Sequence, residues 1–95
     1  MTMTVTNVNR RDFLLMRTGR ESDAVILSCE QLYMRYVDAE LDGSEAALFA
    51  DLDRDLRDAT TLRLIDTAWL ARPDLKTRLD VIVDAFRRRG GRVLV

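Results

Sequence analysis

Residues 24–41, AVILSCEQLYMRYVDAEL, decide the fold, because the spacing of their apolar side chains changes at Ser28. Residues 24–27 are an unbroken apolar run, which suits a short buried strand. From there on, Cys29, Leu32, Tyr33, Tyr36, Val37 and Leu41 recur at intervals of three and four, as on one face of an amphipathic helix. Ser28 with Gln31 three residues later is a capping-box pattern, so the helix is expected to start where the period starts. Gly43 supplies its stop.

Working outward, residues 12–17 (DFLLMR) read as a first strand and residues 18–23 (TGRESD) as a turn cluster that folds it back on residues 24–27. Residues 1–9 are small, polar and without period, and are expected to form a flexible arm. Downstream, Ser44 is placed to cap a second helix with Leu48, Phe49, Leu52, Leu56 and Ala59 on one face. Asp53 and Arg57 form an i,i+4 pair in the favourable orientation. Residues 60–65 (TTLRLI) read as a third strand. Pro73 opens a third helix with the stripe Leu75, Leu79, Ile82, Val83 and Phe86. Gly90 and Gly91 end it, and residues 92–95 (RVLV) form a last strand.

The element order ββααβαβ predicts one α/β (or α+β) domain over residues 1–95. Its single sheet of about four strands joins an N-terminal hairpin to a right-handed parallel βαβ unit, with helices packed on the sheet.

Composition narrows the function classes. The chain has 95 residues, 47% hydrophobic and 33% charged, with a net charge of −1. That balance fits a globular domain and gives no general electrostatic attraction for nucleic acid. No run approaches the ~20 apolar residues of a membrane span. Histidine is absent, which removes the commonest general base and metal ligand. No metal or other cofactor is expected. Cys29 is the only cysteine, so no internal disulfide forms and a reducing cytosol is the expected compartment. Basic residues are almost all arginine, a bias that points to a GC-rich bacterial genome.

Three local patterns are candidates for function. Cys29, just inside a helix N-terminus, stands where the helix dipole favours a thiolate, although its apolar stripe argues for burial. Asp66, Thr67 and Trp69 follow the third strand; if that strand runs parallel to the second, they gather with Ser28 and Cys29 at the carboxyl edge of the sheet, where open α/β sheets bind ligands. Against that, Asp66 and Thr67 are common turn residues and Trp69 suits a core. Arg87, Arg88 and Arg89 with Arg92 form a patch for an anion or an acidic partner, or simply complement the helix dipole. Tyr33 and Tyr36, flanking Arg35, fall on the buried stripe.

The stretch Asn9-Arg10-Arg11-Asp12-Phe13-Leu14-Leu15 resembles the core of a twin-arginine export signal. Such a signal needs an apolar region of ~7–15 residues next. Here the apolar run ends at Met16, and Arg17, Arg20, Glu21 and Asp23 follow. The stretch therefore reads as a strand with basic flanks. Its export reading would make the chain an accessory factor for an exported or cofactor-bearing protein.

A hairpin followed by helices and parallel strands, with Gly90-Gly91 before the last strand, resembles the topology of the STAS (anti-sigma-factor antagonist) domain. In that family a serine in an Asp-Ser-x-Gly-Leu-like loop is phosphorylated and controls partner binding. Only Thr67, in Asp66-Thr67-Ala68-Trp69-Leu70, falls near that place. The glycine is missing, the loop is short, an extra helix precedes the third strand and the final helix is absent.

The expectation is a small, non-catalytic interaction or regulatory module of a bacterial cytoplasm. Its partner would be a protein, a second copy of the chain included, and neither nucleic acid nor membrane. The competing expectation is a small-ligand binder or enzyme using Cys29, Asp66 and Thr67.

Overall fold

Alternating burial along the second and third strands shows which side of the sheet the helices cover. Val25, Leu27 and Leu62 are fully buried, whereas Ile26 is half-buried and Arg63 exposed. In a computed structural model, residues 15–18 and 21–95 are described. The elements are β1 (Leu15–Thr18), β2 (Glu21–Ser28), α1 (Cys29–Asp42), α2 (Glu45–Asp55), β3 (Thr61–Ile65), α3 (Pro73–Arg88) and β4 (Arg92–Leu94). Short 3-10 turns span Leu56–Asp58 and Thr67–Ala71.

The chain is thus a mixed helix-and-strand fold with sheet order β1-β2-β3-β4. β1 pairs antiparallel with β2, while β2, β3 and β4 are parallel. The radius of gyration, 13.3 Å, is that of a compact chain of this length, about 13 Å.

Element boundaries differ from the sequence reading. β2 begins at Glu21, not at residue 24, and Thr18 pairs with Glu21 directly. Ladder bonds are made by backbone, so polar residues assigned to a turn extend the strand. The predicted arm at residues 1–9, and residues 9–14 of the twin-arginine-like stretch, lie outside the described residues.

The caps behave unequally. Ser28 accepts the Gln31 N–H at 3.3 Å and starts α1 where the apolar period changes. Ser44 occupies the cap position of α2 but makes no cap bond; its hydroxyl donates to Asp42 at 2.5 Å instead. Gly43 ends α1 at φ 74°, a left-handed conformation open to glycine.

One core joins all layers. Leu27 and Leu62 from the sheet meet Leu32 of α1, Leu52 of α2 and Leu75, Leu79 and Phe86 of α3. The whole predicted stripe of α3 is buried. Gly91 lets β4 return past it, since a Cβ there would overlap the Phe86 ring. On α1 the outcome is different. Cys29, Leu32, Tyr36 and Ala39 are buried, but Leu41, expected on the same stripe, is 84% exposed. Twelve positions after Cys29, the 3.6-residue repeat has carried Leu41 round to the solvent side.

Candidate functional site

β2 and β3 end side by side, Ser28 opposite Ile65, so the next residues of each chain segment meet at the carboxyl edge of the sheet. Asp66 adopts a left-handed conformation, φ 57°, which aspartate tolerates better than most residues. That turns the chain from β3 into the 3-10 segment, where the Trp69 N–H donates to the Asp66 carbonyl at 3.1 Å. The Ser28 hydroxyl donates to the Asp66 carboxylate at 3.3 Å while accepting from Gln31. The bond ties the start of α1 to the end of β3.

Cys29 belongs to this edge but not to its surface. Its side chain is fully buried. Burial, and secondarily the Asp66 charge, push the thiol up to about 11. Of the two sequence readings of Cys29, burial on the apolar stripe is the one its position fits, and a buried thiol raised this far is poorly placed to react. The Ser28–Asp66 bond joins two segments 38 positions apart in the chain. Thr67 is exposed at the start of the 3-10 segment.

Trp69 is not in the core. It is 39% exposed, with its ring centroid 5.3 Å from that of Tyr33 and the planes tilted by 50°. Leu70 packs partly on the core and anchors the same segment. Tyr33, Ala68, Trp69, Ala71 and Arg72 line a shallow, mainly apolar groove of about 300 Å³. Tyr33, expected inside, is a half-buried wall of that groove.

One lining residue, Arg72, is held in a charged clamp. Arg72 donates to both Glu40 carboxylate oxygens, at 2.8 and 2.7 Å, and to Asp74 at 2.7 Å. Its guanidinium also lies 5.1 Å from the Tyr36 ring centroid, and the Tyr36 hydroxyl donates to Asp74 at 3.0 Å. Hydrogen bonding to Arg72 holds the Glu40 and Asp74 carboxyls below their ordinary range. Burial, then the Asp74 bond, raises the Tyr36 hydroxyl. Glu40 and Arg72 are 32 positions apart, and no sequence period signals their pairing.

Beside the groove, α1 carries an apolar strip that is partly exposed. Tyr33, Val37 and Leu41 succeed one another at four-residue intervals, and Met34 flanks them, so helical geometry puts all four on adjoining rows. Met34 is 48% and Leu41 84% exposed. The predicted arginine patch is elsewhere. Arg87 and Arg88 fill the last turn of α3, at the opposite end of a 16-residue helix from Arg72. Arg89 lies over the Phe86 ring at 5.3 Å, and Arg92 is exposed at the start of β4. No salt bridge among the described residues engages these four arginines.

No helix among the described residues is long and apolar enough to cross a membrane. Comparison with family models, with curated proteins and with solved structures yields no match. The STAS-like connectivity gains no support from them, and Thr67 takes no role from it.

Proposed function

We propose that this chain is a small, non-catalytic protein-interaction module of a bacterial cytoplasm, docking through the outer face of α1 and the adjoining Tyr33–Trp69 groove. The carrying observation is that Met34 and Leu41 are exposed on the outer face of α1, whose Tyr33 also lines the groove with the exposed Trp69. Exposed apolar residues scattered singly are ordinary, but a contiguous group rimmed by polar residues marks a contact surface. Tryptophan, tyrosine and methionine are also the residues enriched at interface centres. Burial of Cys29 supports the same reading, because it withdraws the one soft nucleophile from solvent.

A photocrosslinking residue tests this when it replaces Met34 in cells of the native host, with Thr77 of α3 as the control position. A discrete adduct from position 34 and none from 77 is expected. Equal labelling at both positions, or none at 34, would contradict the module.

A small-ligand reading has one specific support, the groove itself. Its volume of about 300 Å³ lies at the small end of ligand pockets, roughly 300–1,000 Å³. A saturable change in Trp69 emission with a small aromatic compound, together with no crosslinked protein, would favour that reading.

A further inference from the structure

The charges around the α1 strip indicate what kind of partner fits it. Glu30 and Asp38 stand one helical turn on either side of Met34, and Asp38 lies one turn before Leu41. Glu40 borders the Tyr33–Val37 row. Asp66 is bonded to Ser28 at the start of α1, and Asp74 to Tyr36 and Arg72. Arg72, the cation lining the groove, is already shared between Glu40 and Asp74. The apolar residues of this face are thus bordered mainly by carboxylates, Arg35 being the one basic residue of α1, while the arginine cluster lies at the far end of α3.

Resting on the interaction-module reading, we infer that the occupant is a short amphipathic helix with an apolar row flanked by lysine or arginine. Such a helix sets leucine-like residues at i, i+3, i+4 and i+7 against Met34, Leu41 and the Tyr33–Trp69 groove. Its flanking cations meet Glu30 and Asp38, since Glu40 is already paired with Arg72. A second copy of this chain fits less well. A two-fold contact through this face would set each carboxylate rim against its own copy. A standard interface between folded proteins also needs roughly 20–30 residues a side, more than this strip provides.

Synthetic peptides provide the test: one helix-forming sequence with leucines at that spacing, in versions flanked by lysine, glutamine or glutamate. Each is titrated against the full chain at low salt and followed by emission of Trp69, the only tryptophan. The lysine version is expected to bind about tenfold or more tightly than the glutamate version, and to weaken as salt rises. Asp38→Lys should lower its affinity by about two- to fivefold, in line with an exposed pair. Equal binding of all three versions would overturn the charge class and leave the module standing, because crosslinking from position 34 does not depend on charge. Binding by none would overturn the helix occupant. So would concentration-dependent dimerisation that shifts Trp69 emission, which assigns the face to a second copy. A shift caused by Arg10→Glu with Arg11→Glu alone would assign the face to the chain's own first residues, and would overturn the helix occupant as well.

Discussion

α1 and α3 pack on the same core yet use their apolar residues differently. Every member of the α3 stripe, from Leu75 to Phe86, is buried, and its only large exposed apolar side chain is Val81. α1 buries Cys29, Leu32, Tyr36 and Ala39, then leaves Met34 and Leu41 in water on the helix whose Tyr33 packs against Trp69. Folding accounts for the whole α3 stripe and for about half of the apolar residues of α1. The excess on α1 lies where a partner can reach it, bordered mainly by carboxylates.

The largest effect expected from breaking this contrast is in α3. Phe86→Ala removes a fully buried ring against which Gly91 is packed and should cost about 3–5 kcal/mol of stability, read by urea denaturation. A loss under 1 kcal/mol would mean that α3 is not the main packing element.

An intermediate effect concerns the clamp that holds the groove to α1. Glu40 and Asp74 are lowered from ordinary values of 4.5 and 3.8, chiefly by hydrogen bonds to Arg72. Their contribution is present above those values and lost as pH falls through the lowered folded ones. Tyr36, raised from 10.0, has the opposite sign: its contribution is present below that value and lost as pH rises through the raised one. Trp69 emission should therefore be steady across neutral pH and change at both extremes. Arg72→Gln should shift the acid change toward ordinary carboxylate values. An unshifted acid limb in that variant would dissociate the clamp from the groove.

The sequence made α3 readable because its signals are local: Pro73 at the start, one unbroken 3.6-residue stripe and Gly90–Gly91 at the end. The start of α1 was equally plain, from Ser28 and Gln31. Its outer face was not, because periodicity alone assigned Leu41 and Tyr33 inward, and only the packing of the 3-10 segment shows which rows of the helix are covered. Asp66 was legible as a turn residue at a strand end, and its place beside Ser28 and Cys29 follows from the parallel pairing of β2 and β3. Trp69 reads from the sequence either as a member of the edge site or as a core ring; a short segment with Leu70 already facing inward leaves the neighbouring ring outside. The Arg72 clamp joins groups far apart in the chain, and nothing in their spacing announces it.

The smallest expected effect is on stability at the two exposed positions. Leu41→Gln and Val81→Gln each remove an exposed apolar side chain, one from each helix, and both should change stability by no more than about 0.5 kcal/mol. Their consequences for binding should differ. The most direct measurement is therefore the titration of these two variants, side by side with the unaltered chain, with the lysine-flanked amphipathic peptide, followed by Trp69 emission. The prediction is a several-fold loss of affinity for Leu41→Gln and none for Val81→Gln. Equal affinities for the two variants would contradict the assignment of the outer face of α1 as the docking surface.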